Sequence, residues 1–296
     1  MTDDEKLRAF ERARVAVLRS RTAIQRDTRA EIVRLLKDAQ ATISTALAAQ
    51  PSDYQLWILP QLQREVRQTL AGLGDEAATG ISGAADRAWE AGQALIDEPL
   101  AAGGIRIAGL APAIDTRQLF AMRAFMTERI KDIALSAANK INSELGLVVI
   151  GAQGTSEATT HITEILGEQS RARATTIVRT ELGRAFSVAA DERLQQAGEF
   201  LPGLKKQWRR SGKLHSRPHH DAADGQVQPR DEPFVLYGPT GRVELMFPRD
   251  PAAPAGETIN CGCESLPIMD SWEVAQPGRR PLTDEEVARR AVRRSA

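Results

Sequence analysis

Apolar residues recur at helical spacing along the first two thirds of this chain and cease to do so near Gly198. A change of period is a change of structure. Residues sharing a helix face lie three or four apart, whereas those on a strand alternate. The chain therefore reads as α+β, with mostly helical N-terminal two thirds followed by a small α+β C-terminal domain with a β-hairpin.

Thr28–Glu31 has the form of a capping box, and Ile32, Leu35, Leu36, Ala39, Ile43 and Leu47 follow on one face. Gln50-Pro51-Ser52 ends that helix. A second helix is predicted over 56–73, with Leu62, Val66, Leu70 and Leu73 inward, and a looser one over 75–96 that contains Gly80 and Gly83. The stretch from Pro99 to Pro112 reads as a loop or a short extended excursion. A strong helix over 115–145 carries Leu119, Met122, Met126, Ile130, Ile133, Ile141 and Leu145. Gly151–Gly154 is a break, 155–166 a short helix, and 171–197 a long one with Ile177, Val178, Leu182, Ala185, Phe186, Ala189 and Leu194 inward.

Composition narrows the function classes. Aromatics make up 4% of the 296 residues, and the abundance of Ala, Leu, Arg and Glu agrees with helices. Lys plus Arg is 39 and Asp plus Glu is 39, so net charge gives no reason to expect nucleic acid or an anionic membrane as partner. No apolar run approaches the roughly 20 residues that span a bilayer. The opening segment lacks the apolar core of a secretory signal. Cys261 and Cys263 are the only cysteines, which rules out a disulfide framework and suits a reducing compartment.

Beyond Gly198 the runs are short and rich in Pro, Gly and His. A strand is expected at Lys206–Arg209, and a hairpin joins Phe234–Tyr237 to Arg242–Phe247 across Gly238-Pro239-Thr240-Gly241. The expected division is a helical region over 1–168, an α+β domain over 169–270, and a polar tail over 271–296 with Arg289, Arg290, Arg293 and Arg294.

Five motifs stand in order here: Arg179-Thr180-Glu181; Trp208 after Lys205 and Lys206; Leu214–Gly225, with Arg217, His220, Asp224 and Gly225; Pro248-Arg249-Asp250-Pro251; and Glu257–Cys263. In this order they resemble the phage Mu F-like family of head morphogenesis proteins, over about 171–266. Two positions depart from the family pattern. His215 stands where an acidic residue is usual, and Gly262 stands between the cysteines where Arg is usual. The resemblance implies a minor head protein of a tailed phage that associates with the portal protein, the capsid shell or scaffold, and acts in head assembly or DNA delivery. It implies a place in the virion head near the portal vertex, and the host cytoplasm during assembly. Some relatives carry toxin domains after the family domain, and the roughly 30 residues here are too few for one. The family pattern also gives Arg179 and Glu181 the role of docking the C-terminal region onto their helix, the alternative being a solvated helix face.

His215, His219 and His220 cluster some 40 residues before the cysteines. Imidazole and thiolate together suit zinc, and His215, His220, Cys261 and Cys263 make a His2Cys2 set that would staple a region with little apolar core. The spacing Cys-x-Cys is tighter than usual for zinc, and buried cysteines acting as small hydrophobes are an equal reading. His219 reads as a solvated loop residue, Asp224-Gly225 as a turn, and Trp208 as a core anchor. Lys205, Lys206, Arg209, Arg210, Lys213 and Arg217 form a run without acids that would suit packaged DNA or an acidic portal surface, or simply a solvated face. Two other classes compete: a metal-dependent nuclease using the histidines with Asp221 and Asp224, and a DNA-binding module. No His-Glu-x-x-His, nucleophile elbow or phosphate loop is present. The expectation is therefore a structural protein, capable of forming oligomers, and not an enzyme.

Overall fold

The computed structural model of the protein describes residues 2–48, 59–105, 107, 112–212 and 216–269. The expected break at Gln50-Pro51-Ser52, the residues Lys213 and His215, and the whole Arg-rich tail lie outside the described residues. Five long or medium helices come first: α1 (Asp3–Ala48), α2 (Leu59–Ala102), α3 (Arg117–Val149), α4 (Thr155–Ile165) and α5 (Glu168–Phe200). Then come β1 (Leu204–Arg209), α6 (Pro218–Ala222), β2 (Val227–Pro229), β3 (Phe234–Gly238), β4 (Gly241–Leu245), α7 (Ala255–Thr258) and β5 (Glu264–Met269). The fold is α+β, as the change of period indicated. Among the described residues no helix is long and apolar enough to cross a membrane.

Two helix limits differ from the sequence reading. The capping box belongs to Thr2 and Glu5: the Thr2 N–H donates to the Glu5 carboxylate at 2.8 Å, and the Glu5 N–H donates to the Thr2 hydroxyl at 3.3 Å. Thr28–Glu31 has the same spelling inside a continuous helix, where neither Pro nor Gly interrupts it. Likewise α2 runs unbroken through its glycines and past Pro99. It ends two turns later than expected, at a Schellman motif. There Ile105 N–H reaches Leu100 O at 2.8 Å, Gly104 N–H reaches Ala101 O at 3.0 Å, and Gly104 takes φ +93°.

The chain forms two compact units. One contains residues 23–86 and 117–181, and is helical. Its interior is built from the stripes of Ile32, Leu36 and Ile43, of Leu62, Val66 and Leu70, and of Met126, Ile130, Ile141 and Leu145. The other contains residues 1–22, 87–116 and 182–296. It holds both sheets. In the three-stranded sheet the order is β2-β1-β5, all antiparallel, with Lys206 opposite Gln228 and Pro267. β3 and β4 form a separate hairpin that pairs Gly238 with Gly241. One core cluster here joins Phe10, Ile96, Leu100, Leu194, Leu204 and Met269, and a second surrounds Trp208.

Two glycines of α2 separate close packing from open surface. A Cβ on Gly92 would lie 2.3 Å from the Phe186 carbonyl oxygen and 2.8 Å from Ala189 Cβ, so α5 backbone would have to move. A Cβ on Gly72 would meet nothing within 4 Å. Gly92→Ala is expected to destabilise the protein by about 3 kcal/mol through overpacking. Gly72→Ala is expected to stabilise it by up to about 1 kcal/mol through helix propensity. Denaturant unfolding of the two variants side by side checks the contrast, and equal effects would refute the packing at Gly92.

Candidate metal centre

The second core cluster is built around an indole. Trp208 on β1 is fully buried among Phe234, Leu236, Val243, Leu245, Cys261 and Cys263. Its Nε1–H donates to the His220 carbonyl oxygen at 3.0 Å, and its ring meets the imidazole edge-on with centroids 5.4 Å apart. That bond fixes α6 against β1. Pro218 opens α6 at its first turn, where its missing N–H costs nothing. The turn places His219 and His220 inward, so His219 is not a solvated loop residue: its side chain is only 10% exposed. Asp224 and Gly225 return the chain to β1. Gly225 takes φ +88° and donates its N–H to Trp208 O at 2.9 Å, while Asp224 accepts the Arg210 N–H at 2.9 Å.

His220 Nδ1 faces two sulfurs, Cys261 Sγ at 3.6 Å and Cys263 Sγ at 3.7 Å. All three residues are buried, and both cysteines are free thiols. With Zn–S near 2.3 Å and Zn–N near 2.0–2.1 Å, a tetrahedral zinc separates sulfur and nitrogen ligands by about 3.6 Å. The residues present therefore fit a tetrahedral, thiophilic ion. Of the expected set, His220, Cys261 and Cys263 come together, and His215 lies outside the described residues. Neither Asp221 nor Asp224 joins a metal-competent group among the described residues.

The opposite ring nitrogen is also engaged. His220 Nε2 and His219 Nε2 each donate to the same Glu257 oxygen, Oε2, at 2.7 Å. Burial alone would raise the Glu257 carboxyl, but the two histidine hydrogen bonds overcome it and hold the group below its usual range. His219 in turn packs on Gly238, where a Cβ would lie 3.2 Å from its Nε2.

Behind the sulfurs lies a buried ion group. Arg249 is completely buried. Its guanidinium donates to Cys261 O at 3.0 Å, Ser187 Oγ at 2.6 Å and Glu264 Oε2 at 2.8 Å. Arg21 of α1 pairs with the other oxygen of Glu264. Burial, and next the charge of Arg249, lower Arg21 to about 9, while the thiols act to raise it. Two guanidiniums on one carboxylate leave a positive excess beside the sulfurs. The hydrogen bond from Cys263 holds the Cys261 thiol well below its usual range, against the cost of burial and with help from His220 and Arg249. Cys263, the donor of that pair, is pushed up. The surroundings thus favour negative charge on one sulfur of the pair, Cys261, the form that binds metal.

The basic run does not form one cationic face. Lys206 is fully buried, donates to Met246 O at 2.8 Å, and lies 5.3 Å from the centre of the Phe234 ring. Burial lowers its pKa, opposed by Asp191, Asp231 and Asp250. It is unavailable to an external partner, because alternation along β1 turns it away from Lys205. Lys205 and Arg209 are half-buried. The side chain of Arg210 lies 3.6 Å from Asp224, and Arg217 donates to Ile259 O at 2.9 Å. On α5, Glu181 is buried and Arg179 exposed, its carbonyl accepting from Gln25 Nε2 at 3.3 Å. Glu257, Arg249 and Glu264 were given no role by sequence reasoning. The first two do sit in the ordered motifs, which was the available signal.

Comparison with known proteins finds matches over the C-terminal part of the chain. Residues 139–266 match the family model described as phage Mu protein F like protein. The chain is 37% identical over 128 residues to the uncharacterized protein YqbB of Bacillus subtilis (strain 168), which covers 42% of this chain and 38% of that protein. It is 32% identical over 103 residues to the NAD(+)–arginine ADP-ribosyltransferase EFV of Enterococcus faecalis (strain ATCC 700802 / V583), covering 35% of this chain and 20% of that one. The chain thus spans well under half the length of either relative. No solved structure matches it significantly. The ordered motifs, the metal-competent triad and the buried ion group, apart from Arg21, all lie within the matched segment, and over residues 139–266 this chain is similar to phage Mu protein F like protein.

Proposed function

We propose that this chain is a minor head protein of a tailed phage, a structural component beside the portal that serves head morphogenesis or DNA delivery. The observation that carries this reading is the phage Mu F-like segment, which contains every ordered motif of the C-terminal part. On this reading the protein resides in the virion head near the portal vertex and passes through the host cytoplasm during assembly. The helical unit supplies contacts to the portal, to the shell or scaffold, or to further copies. Phe120 and Leu135 of α3, each 61% exposed, support a role in contacts.

In this reading His220, Cys261 and Cys263 hold a structural zinc, with His215 as fourth ligand. With His215 as the fourth ligand the zinc site is closed and stabilising, whereas a hydrolytic zinc keeps a position open to water. The burial of all three residues supports the structural choice over the nuclease. The commitment of Lys206, Arg210 and Arg217 to internal partners weighs against a general DNA-binding module. ADP-ribosyl transfer belongs to the printed name of one relative, of which this chain covers 20%, and is not carried over.

The test is the protein content of purified heads from the phage that encodes the chain. Quantitative mass spectrometry is expected to find it at a small fraction of the major shell protein, and its deletion to lower the yield of infectious particles. Its absence from both immature and mature heads would overturn the reading.

A further inference from the structure

We infer that Glu257 is the positioning carboxylate of the metal centre, and that His220 binds the ion through Nδ1 with its Nε2–H held on that carboxylate. The inference rests on the reading of His220, Cys261 and Cys263 as a metal site. It adds the ligating atom and a second layer of residues to it.

An ionised carboxylate only accepts, so an imidazole nitrogen 2.7 Å from it must present N–H. Glu257 Oε2 stands at that distance from Nε2 of both His219 and His220. The proton of a neutral His220 is thereby assigned to Nε2, and the lone pair falls on Nδ1. That is the nitrogen facing the sulfurs of Cys261 and Cys263, at 3.6 and 3.7 Å. A histidine that binds metal through one nitrogen commonly donates its other N–H to a carboxylate, which fixes the ring and raises its basicity. Here α7 supplies the carboxylate and the motif Glu257–Cys263 supplies both it and the thiols, so seven residues of chain span the two layers. The T-shaped contact with Trp208 and the bond from its indole to His220 O hold the imidazole from the other side. His219 makes the second bond to the same oxygen, which fixes the carboxylate and leaves it no freedom to turn toward the ion. The ion class that this donor set takes is a tetrahedral, thiophilic divalent cation such as zinc, with cadmium and cobalt as probes.

The experiment uses the full chain loaded with zinc and titrated against a chromophoric chelator, beside Glu257→Gln and Cys261→Ser. The wild type is expected to hold one equivalent. Glu257→Gln is expected to hold one equivalent with affinity lowered about 10- to 100-fold, and Cys261→Ser to lose tight binding. A role of Glu257 in folding alone would lower the melting temperature of the metal-free protein and leave the zinc affinity unchanged, and that result overturns the inference. A wild type that takes up no zinc overturns the underlying metal reading instead, so the two failures are distinct. The wild type also answers without any variant. In the cadmium-loaded, nitrogen-15 histidine-labelled protein, His220 is expected to couple to cadmium through Nδ1 and to carry an exchange-protected proton on Nε2. Coordination through Nε2 would refute the assignment.

Discussion

Adding a strong chelator to the zinc-loaded protein is expected to lower the melting temperature of the C-terminal fold by about 10 °C. The estimate follows from linkage. An ion present at about 1,000 times its Kd stabilises the folded state by about 4 kcal/mol, and in a unit of this size each kcal/mol moves the melting temperature by roughly 2–4 °C. The elements that the ion would cross-link are short: β2 is three residues long, and α6 and α7 are five and four. An ion held by His220, Cys261 and Cys263 would join α6 to the segment that enters β5. Cys261→Ser and Cys263→Ser should each start at the lower temperature and show no further response to the chelator. If the cysteines are only small buried hydrophobes, the serine variants will lose some stability while the wild type ignores the chelator. Calorimetry of the three proteins with and without chelator separates these outcomes.

The second large effect concerns Arg249. Arg249→Met should cost about 3–5 kcal/mol, because removing one partner of a buried ion group strands the others. Cys261 O and Ser187 Oγ lose a donor, and Glu264 keeps only Arg21. Arg249→Lys should recover little of this. A single ammonium cannot reach three acceptors that a planar guanidinium spans. The position is demanding for the backbone as well, since Arg249 takes φ +71° between Pro248 and Asp250. Denaturant unfolding measures the loss directly, and a change below about 1 kcal/mol would mean that the ion group contributes little net stability.

Both predictions turn on residues that the sequence revealed unequally. The helices were legible because their apolar stripes are long and regular, as with Met126, Ile130 and Ile141 in α3. The hairpin was legible because Gly238-Pro239-Thr240-Gly241 separates two β-rich runs, and β3 and β4 pair across it. The limits of α1 and α2 were not, since a capping-box spelling at Thr28 and a proline at position 99 are local cues that tertiary packing overrides. β2 and β5 went unread because one is only three residues and the other carries Pro267 in its middle. The two compact units interleave along the chain, with α1, α2 and α5 contributing to both, and an unbroken helix bears no mark of such a division.

At the candidate metal centre, soft ligands announce themselves by type, so His220, Cys261 and Cys263 could be picked out as candidates although the Cys-x-Cys spacing is tight for zinc. The carboxylate behind them could not. Glu257 is one of many acids, and only the fold shows that its oxygen meets two imidazoles. Lys206 illustrates the reverse error. In the sequence it belongs to a cationic run, whereas in the sheet it points into the core toward Met246 O.

The most direct test of the central claim is co-expression of this chain with the portal protein of the same phage, followed by size-exclusion chromatography with light scattering at moderate salt. The proposed role predicts a stable complex of defined mass. Two separate peaks, with this chain eluting at its own mass and none of it in the portal fraction, would contradict it.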